Sequence, residues 1–246
     1  MNNCGIIYRR VMQYVMSRAR LCACLVIIIT HYSLLITNSA SAQSRSEWRD
    51  SLEVLNTQIA RDPSNLHLHL LKAEANINLE QWDYALAEYG KILHADENNL
   101  AALYFRAFVH VKQNHYDLAR VDYEAFLRHQ PNHFEARLGL AHVLQKMGRK
   151  TDCVDELNRI VQMFPDSADA YAARAAYETE QKQYEIALYD WDEAIRRRPL
   201  SSGYVVSKVD ILIRLYLMDE ARSELNAAVK RGIPRYALKE WIDKCK

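Results

Sequence analysis

Histidine is the side chain best placed for acid–base or metal chemistry near neutral pH, and the chain has nine. His67 and His69 stand two residues apart and would point to different sides of a helix; His110 and His115 are five apart, a poor spacing for one helix face; His129 and His133 flank Pro131. None belongs to an H-E-x-x-H pattern or a paired-cysteine set, so no metal centre is expected. There is no G-x-S-x-G nucleophile turn, no Walker loop and no dinucleotide-type glycine pattern, and the carboxylates are scattered as on solvated helix faces. The expectation is a protein that is not an enzyme and carries no cofactor. Of five cysteines, Cys4, Cys22 and Cys24 lie near the start, leaving Cys153 and Cys245. Two cysteines far apart in sequence do not make a disulfide framework, so two free thiols are expected, with Cys153 a small core residue.

The elements that carry these residues are set by a repeat. Glycine and proline are scarce, six and five residues, which favours helices joined by short connections. Pro63, Pro131, Pro165 and Pro199 are separated by 68, 34 and 34 residues, with Glu97 at the missing place. Repeats counted from Leu66, Leu100, Phe134, Ala168 and Ser202 fall into register. Position 8 reads Ala73, Ala107, Ala141, Ala175, Val209, and position 20 reads Ala85, Ala119, Cys153, Ala187, Ala221. Position 24 reads Tyr89, Tyr123, Leu157, Trp191, Leu225, and position 28 reads Leu93, Leu127, Val161, Ile195, Val229. Small residues at 8 and 20 let two antiparallel helices approach, positions 24 and 28 fill the seam one turn apart, and proline ends the second helix.

A charge pair repeats with the same period. Lys72 with Glu88, Arg106 with Asp122, Arg174 with Asp190 and Lys208 with Glu224 occupy positions 7 and 23; repeat three keeps Glu156 but has Leu140 as its partner. The expected arrangement is a bridge between the two helices of one hairpin, each contributing about 0.5–1 kcal/mol if half exposed.

These residues resemble the tetratricopeptide repeat family over 66–233. The alanines at 8 and 20, the aromatic or leucine at 24 and the proline at 32 match; the family's tryptophan at 4 and tyrosine at 11 are missing, and its leucine at 7 survives only as Leu140. The resemblance implies an all-α, right-handed α-solenoid of five helical hairpins (66–99, 100–133, 134–167, 168–201, 202–233), between an N-terminal capping helix within 43–65 and a C-terminal one at 234–246. In the latter, Tyr236, Leu238, Trp241 and Ile242 are available to cover the last hairpin. It also implies a concave groove, lined by the first helices, that takes a peptide or helix of a partner protein. The groove places here give Leu70, Glu74, Tyr104, Phe108, Leu138 and His142. An apolar strip on a rigid scaffold marks a binding site, but the same spacing suits core packing, and the two alternatives part on whether Tyr104 and Phe108 stay exposed. The lysine and asparagine clamp that one subclass uses for a C-terminal carboxylate is absent, the matching places holding Leu70, Glu74, Phe105, Phe108, Glu135 and Gly139.

Residues 1–42 read as an address. Arg9, Arg10, Arg18 and Arg20 precede a mostly apolar run from Leu21 to Thr37, and Ala40-Ser41-Ala42 follows it, the pattern of a secretory signal peptide cleaved after Ala42. The alternative is an uncleaved membrane anchor. That segment holds no acidic residue, so the remainder carries a slight acidic excess and offers no basic footprint for nucleic acid. The expectation is an exported protein, periplasmic or secreted, in a bacterial envelope, with a protein or peptide partner and no membrane span once the signal is removed. Its role would be that of an adaptor binding protein segments or, alternatively, of a permanent structural subunit or assembly factor of an outer-envelope complex.

Overall fold

The computed structural model describes residues 37–246, with side chains from residue 45 onward. Most of the segment read as a signal peptide therefore lies outside the described residues. The described part is helical with no strand: α1 (Thr37–Arg61), α2 (Leu66–Asn78), α3 (Trp82–Ala95), α4 (Leu100–Lys112), α5 (Tyr116–His129), α6 (Phe134–Lys146), α7 (Lys150–Met163), α8 (Ala168–Glu180), α9 (Tyr184–Arg197), α10 (Ser202–Arg214), α11 (Met218–Arg231), a 3-10 turn (Arg235–Leu238) and α12 (Lys239–Lys244).

Each first helix starts on the same device. Asn65, Asn99, His133, Ser167 and Ser201 are N-caps whose side chains accept from the backbone N–H three residues on, at Leu68, Ala102, Ala136, Ala170 and Tyr204. A side-chain acceptor there satisfies one of the donors that a helix start leaves free. Each first helix also ends alike. Glu80, Asn114, Gly148, Lys182 and Tyr216, all at repeat position 15, adopt positive φ between 60 and 72°. The next N–H reaches back to the carbonyl at position 11, as in Gln81 to Asn76 (2.8 Å) and Leu217 to Leu212 (2.8 Å), closing a Schellman motif. Gly148 is the one glycine among the five; the other four bear a side chain in a left-handed conformation.

Contacts divide the described residues into two compact units, 37–153 and 154–246, the division falling inside α7. In the first, Ala73, Ala85, Tyr89, Ile92, Ala102 and Val109 form a core fully or nearly fully removed from water, with Leu70, Phe105 and Phe108 packed at its edge. Gly139 on α6 faces the ring of Tyr123, which would lie 2.5 Å from a Cβ built there. In the second, Ala175, Ala187, Trp191, Val205, Val209, Ala221 and Leu225 make the core, joined by Leu238 and Cys245 from the C-terminal segment. That segment is a 3-10 turn followed by a short helix rather than one helix. Pro234 is extended, φ −60° and ψ 133°, and the tight turn after it directs Leu238 inward and leaves Tyr236 82% exposed, so Tyr236 takes no part in the cover. Cys153 and Cys245 are both buried and unbridged; Cys153 Sγ donates to the Ala141 carbonyl at 3.3 Å.

Candidate protein-binding face

The repeating charges are bridges within hairpins. Arg106 grips Asp122 with two bonds, Nε–Oδ2 2.7 Å and Nη2–Oδ1 2.6 Å, and Arg174 grips Asp190 likewise at 2.6 and 2.8 Å. Lys72 Nζ lies 3.1 Å from Glu88 Oε1, and Lys208 Nζ 2.8 Å from Glu224 Oε2. The acid is more deeply buried than a surface bridge requires: Glu88 and Asp122 are buried and Asp190 is fully inaccessible. Arg174 also donates to Asn158, and Lys208 to Asp192, each sixteen residues earlier on the preceding second helix. Glu88 collects three donors. Burial pushes its carboxyl up, but bonds from His69, Lys72 and Lys91 outweigh burial and hold it below the usual glutamate range. His69 Nδ1 meets Glu88 at 2.5 Å while Nε2 meets the Pro63 carbonyl at 3.0 Å. Arg137, at the same repeat position, donates to the Pro131 carbonyl at 2.6 Å. In repeats one and three, polar side chains stand where the family places tryptophan, and they hold the carbonyl of the preceding proline turn.

Glu178, at the place of the family's tyrosine, is buried beside Asp190. Burial first, then the Asp190 charge, push its carboxyl up to about 7, and its Oε2 has no hydrogen-bond partner. His110, at the same repeat position, lies 3.9 Å from Asp122, with its ring 5.9 Å from that of His115. Among the described residues, no group of three or more His, Cys, Asp or Glu is placed to hold a metal ion.

Of the six residues expected to line a groove in repeats one to three, five are partly accessible and one is not. Tyr104 is only 6% exposed. Its ring meets Phe105 edge-on at 5.2 Å and packs against Phe126 at 5.5 Å and the N-cap ring of His133 at 5.4 Å, so of the two alternatives Tyr104 takes the core one and is withdrawn from the groove set. Burial, with the nearby Glu135 charge, holds its hydroxyl well above the usual tyrosine range. Leu70, Glu74, Phe108, Leu138 and His142 are each partly buried on α2, α4 and α6. Phe108 carries the Lys112 ammonium 5.2 Å from its ring centroid. Burial pulls the His142 imidazole below its ordinary pKa, and Lys146 and Lys112 push the same way, which puts two cations near it. Glu74 is the odd member: burial raises its carboxyl to about 7, and Oε1 is shut off from water with no partner. The position-13 lysines are the part of this face that apolar periodicity did not single out.

Residues 110–177 match the family model described as "Tetratricopeptide repeat". Among solved structures, a tetratricopeptide repeat protein from Parabacteroides merdae aligns over 82% of this chain and 79% of its own, with TM-score 0.59 and 18% identity. The chain has the tetratricopeptide-repeat fold. A second structure, "YrrB: a TPR protein with an unusual peptide-binding site", aligns over 77% of this chain and 97% of its own, with TM-score 0.56 and 17% identity. Among curated proteins, the "DnaJ protein P58IPK homolog B" of Oryza sativa subsp. japonica is 33% identical over 130 residues, 52% of this chain but 26% of that one. The human "Peptidyl-prolyl cis-trans isomerase FKBP4" is 32% identical over 82 residues, 33% of this chain and 18% of its own. The chain thus spans about a quarter or less of the length of these relatives.

Proposed function

We propose that this protein is a non-enzymatic interaction scaffold that binds a segment of a partner protein on the first-helix face of repeats one to three. The observation that carries the reading is the partly accessible row of Leu70, Phe108 and Leu138 on successive first helices, with the polar groups of Glu74 and His142 among them. A few fixed polar groups within apolar surface give both affinity and orientation. YrrB, a TPR protein with an unusual peptide-binding site, supports the same use of the fold. We further propose that the protein is exported, on the strength of the basic, apolar and Ala-Ser-Ala sequence of residues 1–42. The test is affinity capture from the native envelope fraction, comparing wild type with Phe108→Glu by mass spectrometry. Partners lost with the substitution support this face; partners kept by a folded variant exclude it.

One observation favours the second reading, a permanent subunit of a larger assembly. Second helices carry exposed large apolar residues: Tyr84, Leu118 and Val121 in one unit, Ile186 and Tyr189 in the other, each more than half exposed. Partners that survive Phe108→Glu but are lost with Val121→Glu support that reading.

A further inference from the structure

The unpaired carboxyl of Glu74 has a consequence for what the face accepts. Among the described residues, the other acids at first-helix face positions have partners. Glu135 lies 3.6 Å from His133 Nδ1, Asp169 takes two bonds from Arg198 at 2.8 Å, and Asp210 is held by Arg214 at 2.6 Å. Glu74 Oε1 alone among them is closed to water without a hydrogen bond. Leu70 and Ile77, which flank it on α2, are part of the apolar packing around the core of this unit. An acceptor left unmatched in such a place is destabilising, and the loss is recovered when a donor arrives. On the next first helix, the Lys112 ammonium lies 5.2 Å from the Phe108 ring centroid, and Lys112 and Lys146 both act on the His142 imidazole.

Resting on the reading above, we propose that the bound segment is apolar with one cationic side chain, lysine or arginine, and that this cation docks on Glu74. Lys112 and Lys146 repel a cation and so confine it to the Glu74 end, which fixes the direction in which the segment lies. The complementarity is that of a desolvated charge pair, which contributes to specificity as well as to residence time.

The test is selection of a random peptide library on the full chain, followed by binding measurements at pH 8. Selected peptides should share apolar residues around one lysine or arginine. Changing that cation to norleucine should weaken binding to wild type roughly tenfold or more, yet leave binding to Glu74→Gln nearly unchanged. Glu74→Gln keeps the shape of the side chain and removes a buried charge, so its fold is retained and is checked by circular dichroism. Apolar peptides that are lost with Phe108→Glu but show no such coupling overturn the cation assignment and leave the face intact as a binding site. Selected peptides indifferent to Phe108→Glu, or no selected peptides at all, overturn both.

Discussion

Single residues decide how closely these helices approach. Gly139 sits where the Tyr123 ring needs the space of a Cβ, with two ring carbons and the hydroxyl oxygen under 3.0 Å from it. Gly139→Ala therefore forces apart α5 and α6, and the expected loss is about 1–3 kcal/mol in urea unfolding, despite alanine's better helix propensity. Gly90 is the opposite case. It lies inside α3, and a Cβ there meets nothing within 4 Å. Gly90→Ala should stabilise by about 1 kcal/mol, read as a higher unfolding midpoint. The two glycines look alike in the sequence because the difference resides in a neighbour sixteen residues away in one case and in empty space in the other. Tyr104 could not be assigned to groove or core from spacing for a related reason: helical spacing places it on the first-helix face, but the rings of Phe126 and His133 close over it.

At the scale of the element, a hairpin is two helices with a small-residue seam and a buried charge pair. The seam was legible, since alanines at positions 8 and 20 recur in register and all of them are buried. The pairs were legible too, but not their depth: a periodic sequence gives partners, while the inaccessible Asp190 is enclosed with Arg174 and Glu178 beside it. Depth changes the expected energetics. Removing the base from a half-exposed bridge costs little, whereas Arg174→Leu leaves Asp190 fully buried without its two charge-assisted bonds. The expected loss is about 3–5 kcal/mol by chemical denaturation. The N-caps at Asn65, Asn99, His133, Ser167 and Ser201 sit one residue before each repeat and carried their own signal, a side chain able to accept at a fixed place. The Schellman ends carried almost none, because four of the five residues that turn there are not glycine.

For the whole molecule, pH should act in two opposed ways. Glu88 and Glu224 are pushed up by burial but held below their ordinary pKa by bonded cations, Lys72 and Lys91 with His69 for the first, Arg231 and Lys208 for the second. Groups with a depressed folded pKa contribute stability that is present above the unfolded value, about 4.5, and lost as pH falls through the folded value. Glu74 and Glu178 have folded values raised to about 7, so their folded forms hold the proton better than the unfolded chain. Stability from these two is present below about 4.5 and is lost as pH rises toward and through about 7. The double substitution Glu74→Gln, Glu178→Gln should therefore raise the melting temperature more at pH 8 than at pH 5, with a difference of about 2–4 kcal/mol after allowance for partial exposure. Equal gains at both pH values would count against the raised carboxyls.

The bridge residues also bear on how such a chain can change in length. Asn158, Arg174 and Asp190 form one rail in steps of sixteen, and Asp192, Lys208 and Glu224 form the next. Excision of 168–201 leaves Asn158 sixteen residues before Lys208 and Glu224 sixteen after it, so a hairpin gained or lost in phase keeps every rung occupied. A single inserted residue between Lys208 and Glu224 breaks a rung. Descendants of this sequence are thus freer to differ by whole hairpins than by single residues within one.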